Sequence, residues 1–219
     1  DHTLDLCTED ASYREHSIAE LQRVINISRD LRNRFQCPEP VLLVTNVGGF
    51  SEHHHLNRSE REPLRQRLIA SLQQLNTAGE VEIIPQTMPP FPWHFGGQRF
   101  HNLFVDQDFI RQFCEEQGMR VCLDVSHSKL ACNHQHIPFR QFLDQILPFT
   151  AHLHLADAKD VDGEGLQIQD GDIDWVQLFE QIHHHCPKAS FIPEIWQGHK
   201  NGGEAAWLAL ERLEAAAAA

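Results

Sequence analysis

The most informative stretch of this chain is Val121-Cys122-Leu123-Asp124-Val125-Ser126-His127, an apolar run that ends in a carboxylate and an imidazole. We expect the apolar run to be a buried strand and the polar residues to lie in the loop that leaves it. An aspartate and a histidine placed in this way can share a divalent metal ion or a proton. The alternative is an ordinary solvated loop, so the interpretation depends on what other strands bring to the same place.

A strand followed by a helix is a pattern that recurs along the chain. Apolar runs typical of buried strands occupy residues 41–44, 81–86, 120–125, 152–156 and 191–195, and residues 4–7 are predicted to end a further strand. Helices are predicted to begin near Ser17, Ser59, Asp106, Pro138 and Asp172 or Asp174, with a last helix at 205–213. Strands spaced by about 30 to 40 residues with a helix between them indicate parallel βα units.

Two α/β architectures contain such units. One is an open, doubly wound sheet, and the other is a (β/α)8 TIM barrel of which this chain lacks the first two strands. No glycine-rich phosphate-binding fingerprint follows any predicted strand, which favours the barrel. We therefore expect one barrel domain over residues 1–214, followed by an alanine tail, 215–219, that is typical of an artefact.

Composition and charge limit the partners. Eighteen Lys and Arg residues against 31 Asp and Glu residues give a formal net charge of −13 with no basic run, which argues against nucleic acid. No signal peptide and no long apolar segment is present, so no membrane partner is expected. Six cysteines without a CxxC pair indicate a reducing, cytoplasmic setting. The sequence is compatible with a homo-oligomer and does not identify one.

Polar residues stand at the ends of successive predicted strands, where βα-repeat folds carry their reactive face. They are Asn46, Gln86, Asp124 with His127, His154 with Asp157, and Glu194. Carboxylates, imidazoles and a carboxamide oxygen form a mixed ligand set that suits one divalent ion, Mn²⁺, Zn²⁺, Mg²⁺ or Co²⁺. The alternative is that these residues only solvate the mouth of the barrel.

Two loops and two histidine runs are further candidates for binding. After the last strand, Trp196, His199 and Lys200 could hold a carboxylate or phosphate group. The long segment 87–103 has no regular period and is expected to be a lid over a sugar or a packed loop. Its candidate sugar contacts are Trp93, His94, Gln98, His101 and Asn102. The runs 53–55 and 183–185 are expected to be solvated surface, because adjacent histidines cannot all face one ion.

Three of these strand ends resemble a known family. Leu123-Asp124-Val125-Ser126-His127, His154-Leu155-Ala156-Asp157-Ala158-Lys159 and Ile192-Pro193-Glu194-Ile195 are similar, in order and spacing, to the last three strand-end motifs of the xylose-isomerase-like barrel superfamily. That superfamily contains sugar-phosphate isomerases and epimerases and also endonuclease IV. The resemblance covers nearly the whole chain, with residues 4–7 near the family's third strand.

The resemblance implies roles for individual residues. It makes Asp124, His154 and Glu194 metal ligands, and His127 either a ligand or a hydrogen-bond partner of substrate oxygens. Gln86 stands where the family usually has a glutamate that binds metal and moves a proton. A carboxamide can bind a metal or a substrate oxygen, but it cannot take a proton near neutral pH.

The function implied is a metal-dependent isomerase or epimerase of a sugar, sugar phosphate or sugar acid. Glu194 would be both ligand and base, and Glu164, His127 and Lys159 are candidates for the second proton transfer. An endonuclease IV-like phosphodiesterase is one alternative, although the chain has Asn46 in place of a histidine and no Asp-x-His at 162–168. A barrel that binds a sugar without catalysis is the other alternative, favoured by Gln86.

Overall fold

The structure, a computed structural model, describes residues 3–94 and 97–218, without the side chains of residues 93, 94 and 97. The helices are α1 (Ala11–Phe35), α2 (Arg58–Leu72), α3 (Gln107–Gln117), α4 (Val125–Gln135), α5 (Phe139–Ile146), α6 (Trp175–His185) and α7 (Glu204–Ala217). The strands are β1 (Val41–Thr45), β2 (Phe50–Ser51), β3 (Val81–Pro85), β4 (Trp93–His94), β5 (Gly97–Gln98), β6 (Phe100–His101), β7 (Val121–Asp124), β8 (Thr150–Leu155), β9 (Asp157–Lys159), β10 (Gly163–Leu166) and β11 (Ser190–Pro193).

Five of these strands form the parallel framework that the sequence predicted. β1 pairs with β3 in parallel, and β7 and β11 flank β8 in parallel. A single parallel bridge between Gln86 and Cys122 continues the order from β3 to β7. A helix separates each strand of this set from the next. This is the order of consecutive units in a (β/α)8 barrel, so the predicted fold class is confirmed.

The predicted strand at 4–7 is wrong. These residues have no strand assignment, and one backbone hydrogen bond, from Leu6 N to Val47 O at 3.0 Å, links them to the segment after β1. The Asp5 side chain turns the backbone locally, because its Oδ1 accepts from Cys7 N at 2.8 Å. A local side-chain bond of this kind competes with strand pairing.

Two predicted helix starts are also wrong. α1 is capped by Asp10, not by Ser17, which is buried in the helix and accepts a hydrogen bond from Asp5 N through its hydroxyl. α2 is capped by Asn57, which forms a capping box with Glu60 and lies two residues before the predicted Ser59. Several overlapping cap patterns fit each stretch, and the tertiary contacts select one. The starts at Asp106 and Asp174 are confirmed.

The core lies between the parallel strands and the helices. Its largest fully buried side chains include Phe104, Phe113 and Phe142. A smaller cluster of Ile84, Cys122 and Ala151 lies apart from it. None of the helices in the described ranges combines the length and the apolar character that a membrane span requires.

Exposed apolar side chains are concentrated in the first and last elements. In α1 they are Val24, Ile27, Leu31 and Phe35, and near the other end they are Phe191, Ile192, Trp207 and Leu208. β11 pairs only with β8 among the described residues. The apolar surface therefore flanks the open side of the strand set, where a closed barrel would have further units.

Asp157, predicted as a strand-end group beside His154, instead holds the loops around it. It is 0% exposed and accepts hydrogen bonds from Ala158 N, Ile173 N, Gln169 N and Trp175 Nε1. Gly171 packs so closely on it that a Cβ there would lie 2.3 Å from Asp157 Oδ1. This carboxylate satisfies buried donors and has no free oxygen for a ligand.

Replacing Asp157 with alanine should destabilise the fold. Four donors, most of them buried, would lose their acceptor, and the cost should be at least about 2 kcal/mol in the free energy of unfolding. Urea denaturation measures it. The matched control is Asp162→Ala, an exposed aspartate of the same loop, which should change stability by less than about 0.5 kcal/mol. Equal stabilities of the two variants would contradict this role.

Candidate metal centre

The parallel register brings three predicted ligands together at the strand ends. Asp124 of β7 is the direct partner of His154 of β8. Glu194 follows β11 immediately, and its backbone N donates to Leu155 O at 2.9 Å. Neighbouring strands of a sheet are about 4.8 Å apart, so side chains that leave the same face at these positions meet.

The donor atoms of Asp124, His154 and Glu194 all lie within 4.8 Å of one another. His154 Nδ1 is 2.6 Å from Glu194 Oε2 and 3.6 Å from Asp124 Oδ2. Asp124 and His154 are 3% and 8% exposed, whereas Glu194 is exposed at the mouth. Among the described residues this is the one group of three or more such side chains with donor atoms this close.

The electrostatics of this group fit a bound cation. Burial by itself would lower the pKa of His154, but hydrogen bonds to Asp124, Cys122 and Glu194 raise it to about 12. Two carboxylates thus converge on one imidazole nitrogen, which holds a proton to balance them. A divalent ion would balance the same two negative charges and leave the imidazole neutral as a ligand.

Asp124 is fixed by a helix start, and the predicted loop at this point is wrong. α4 begins directly after Asp124, whose Oδ1 caps it by accepting from His127 N at 2.9 Å. Thr87 holds the backbone on the other side, because its hydroxyl accepts from Asp124 N at 2.9 Å. Burial tends to raise the pKa of Asp124, but the charge of His127 and the bonds to His154 and His127 lower it overall.

Gln86 lies beside the three ligands. Its Nε2 donates to Asp124 Oδ2 at 2.9 Å and lies 3.2 Å from His154 Nδ1. Rotation of the terminal amide by half a turn would place Oε1 toward the same point and make Gln86 a fourth ligand. In the present orientation it stabilises the Asp124 carboxylate.

His127 uses both ring nitrogens. Nδ1 donates to Thr87 O at 3.0 Å, and Nε2 lies 3.0 Å from Glu164 Oε1. Burial lowers the pKa of His127, but the charge of Asp124 and the bond to Glu164 raise it to about 9. The imidazolium therefore bridges the metal centre and Glu164, and this arrangement suits the predicted hydrogen-bonding role better than the role of a ligand.

A cavity of about 220 Å³ opens beside these residues. Its lining includes Asp124, His127, Glu164, Glu194, Trp196 and Gln197. β10 is held between two of the neighbouring segments, because Gly165 N donates to Ser126 Oγ and Gly165 O accepts from Trp196 N. Trp196 is 75% exposed and offers its ring at the cavity edge.

Other predicted site residues do not line this cavity. Lys159 is exposed at the end of β9, His199 is exposed, and Lys200 reaches the site only through Gln197 Oε1, at 3.0 Å. Asn46 accepts from Gly48 N through its own side chain.

The long segment 87–103 is more regular than predicted. It contains β4, β5 and β6, and β6 pairs with β2. Asn102 holds it in place by bonds to Gly49 O, Phe100 O and Leu56 N. Gln98 is exposed, and His101 is buried away from the cavity described above. The predicted sugar contacts through the side chains of Trp93 and His94 lie outside the described residues.

Thr87 and Ser126 position the site, and the sequence reasoning did not identify them. Thr87 contacts Asp124 and His127, and Ser126 holds Gly165. Ser126 lies inside the strand-end motif, so its position in the sequence could have indicated that it lies at the site. The role of Thr87 depends on a neighbouring strand, and no local pattern marks it.

Comparison with known proteins agrees with the fold. The family model for the xylose isomerase-like TIM barrel matches residues 1–215. The chain belongs to the xylose isomerase-like TIM barrel family. A search of curated proteins finds no match.

Solved structures with the fold of this family include an epimerase-like protein, an epimerase and a probable dehydratase. A D-tagatose 3-epimerase-like protein has a TM-score of 0.68 and 14% identity, over 97% of this chain and 75% of that chain. D-psicose 3-epimerase of Clostridium cellulolyticum H10 has a TM-score of 0.69 and 12% identity, over 99% of this chain and 76% of that chain. The probable 3-DHS dehydratase AsbF of Bacillus anthracis has a TM-score of 0.65 and 14% identity, over 96% of this chain and 72% of that chain. At such low identities the likeness shows the fold and not the reaction.

Removal of a ligand should abolish metal binding at this centre. We expect one Mn²⁺ per chain by calorimetry, because a site with two carboxylates suits this ion. Asp124→Asn and Glu194→Gln should each weaken it by more than the ~10–100-fold typical of residues that only orient a ligand. Glu180→Gln, an exposed glutamate of α6, should leave it unchanged. Unaltered Mn²⁺ affinity in both ligand variants would exclude this centre.

Proposed function

We propose that this chain is a metal-dependent isomerase or epimerase that acts on a sugar, a sugar phosphate or a sugar acid. The observation that carries the proposal is that Asp124 and Glu194, whose donor atoms form a close group with His154, line the same cavity as the His127–Glu164 pair. The first group fits a divalent ion, and the pair supplies a proton donor within the same cavity.

A divalent ion held by Asp124, His154 and Glu194 would polarise the adjacent oxygens of a hydroxy-carbonyl compound and acidify the C–H beside the carbonyl. Glu194 is suited to take that proton, because one face of it is exposed to the cavity. The His127–Glu164 pair is suited to give or take the second proton, which Gln86 cannot do. His127 can also donate to a substrate oxygen if Glu164 moves aside.

The size and lining of the cavity favour a single sugar unit. A cavity volume of about 220 Å³ is small for a ligand site, since the pockets that bind drug-sized molecules measure ~300–1,000 Å³. The exposed ring of Trp196 can pack on the C–H face of a sugar, while the carboxylates contact its hydroxyl groups. Neighbouring structures named as D-tagatose 3-epimerase-like protein, L-ribulose 3-epimerase and D-psicose 3-epimerase support a ketose as the first substrate class to try.

The endonuclease IV-like alternative is less well supported. A nuclease centre with several metals needs more histidines than the one ligand group contains, and Asn46 takes no part in it. The acidic charge of −13 opposes a phosphate backbone. Cleavage of abasic DNA by the Mn²⁺-loaded chain would revive this alternative.

The test of the proposal is proton exchange with solvent. The Mn²⁺-loaded chain, incubated in D₂O with a panel of ketoses, sugar phosphates and sugar acids, should incorporate deuterium beside the carbonyl group of its substrate, as followed by NMR. Glu194→Gln should abolish exchange together with metal binding. Glu164→Gln should slow turnover about 10²–10⁴-fold and leave Mn²⁺ affinity intact.

The control for this experiment is again Glu180→Gln, which should exchange at the parent rate. Exchange on no member of the panel by a fully metal-loaded chain would favour the non-catalytic sugar-binding alternative. Gln86→Glu is a further variant for this test, because a carboxylate at position 86 can act as a second base, which Gln86 cannot, and should therefore raise epimerase turnover.

A further inference from the structure

A second group of histidines lies away from the metal centre, around His55. The run 53–55 was predicted to be solvated, and His53 and His54 are exposed, but His55 is half-buried. His55 packs against Phe91 and Phe100, with ring centroids 5.2 and 5.1 Å away. His134, near the end of α4, packs on the same Phe91 at 4.7 Å.

Hydrogen bonding fixes which nitrogen of His55 carries the proton. Nδ1 is 3.1 Å from the backbone carbonyl oxygen of His101. A carbonyl oxygen only accepts, so Nδ1 is the N–H donor. Burial lowers the pKa of His55, which keeps the ring neutral. Nε2 therefore carries a lone pair, and this buried atom has no hydrogen-bond partner among the described residues.

A neutral histidine that donates one N–H to a backbone carbonyl and leaves the other nitrogen free is the usual arrangement of a metal-binding imidazole. A buried acceptor without a partner is costly, and a bound ion or water satisfies such an atom. His55 has this arrangement before any ion is bound.

His134 stands at the right distance to be the second ligand. Two imidazoles bound to one tetrahedral ion at about 2.0–2.1 Å have ring centroids about 5 Å apart. The centroids of His55 and His134 are 5.2 Å apart, with the rings inclined at 37°. His55 and His134 both line a cavity of about 230 Å³.

We propose that His55 and His134 bind a divalent transition-metal ion at a second site, independent of the proposed sugar chemistry. Imidazole ligands without carboxylates favour Ni²⁺, Cu²⁺, Zn²⁺ or Co²⁺ over Mn²⁺ and Mg²⁺. Arg61 and Asp106, which carry opposite charges, also line the cavity. No third donor of the described residues completes a close group here, so water fills the remaining positions and binding is weaker than at the first centre.

The site joins two parts of the chain that are distant in sequence. His55 follows β2, Phe91 and Phe100 belong to the long segment after β3, and His134 lies near the end of α4. An ion between His55 and His134 would link the segment after β2 to the C-terminal part of α4. Binding to the folded state alone should therefore raise the melting temperature as the metal concentration rises.

The test counts Ni²⁺ ions by equilibrium dialysis. The parent chain should bind two, of which Asp124→Asn/Glu194→Gln removes one and His55→Gln or His134→Gln removes the other, with a loss of affinity of at least about 10-fold. His54→Gln, the exposed neighbour in the same run, and His184→Gln, in the other run, are the matched controls and should retain both ions.

A spectroscopic measurement covers the case in which a substitution disturbs the aromatic cluster. Cu²⁺ added to the Asp124→Asn/Glu194→Gln chain should give a spin-echo spectrum with two coordinated imidazoles. A spectrum with one imidazole or none would overturn the proposal. So would an equal loss of the second Ni²⁺ in His54→Gln and His55→Gln. Because the sugar panel is assayed with Mn²⁺, failure of this site and failure of the proposed function are separate results.

Discussion

The parallel register that sets Asp124 directly beside His154 is the constraint on which the rest of the site depends. Because the two side chains leave the same face of adjacent strands, a carboxylate and an imidazole are forced within a few ångströms of each other. Glu194, just beyond the last strand, adds a second carboxylate to the same nitrogen. Such a cluster is electrostatically unfavourable without a positive charge among its members. The arrangement of the strands therefore favours binding of a proton or a cation at this point.

Surrounding contacts stabilise this group of charged side chains in the folded state. The start of α4 and the hydroxyl of Thr87 hold Asp124 from two sides, and His127 balances its charge. Gln86 is neutral and donates to Asp124, so the number of negative groups at these strand ends is two, which matches one divalent ion and a neutral imidazole. A carboxamide is not a base near neutral pH. In the proposed function, proton transfer is therefore assigned to Glu194 and the His127–Glu164 pair.

Much of the framework and the central ligands were predictable. Buried parallel strands are written as apolar runs, and the residues at their C-terminal ends share one edge, so Asp124, His154 and Glu194 could be expected together. Local patterns were less reliable where they have several solutions. Ser17 and Asp10 both offer a helix cap, and only the contact of Ser17 with Asp5 makes Asp10 the start. Asp157 follows the same strand as His154, yet buried donors on four other groups make it structural.

The sequence by itself determined the alternation of strands and helices and the residue types at each strand end, because both depend on period and order along the chain. Only the tertiary structure decided which of those residues act together. His54 and His55 are adjacent and chemically identical. His54 is exposed, whereas His55 lies against Phe91 with one ring nitrogen hydrogen-bonded to a backbone carbonyl. Burial and hydrogen-bond partners come from segments far away in the sequence, and these set the charge and the free lone pair of His55 on which the proposed second site depends.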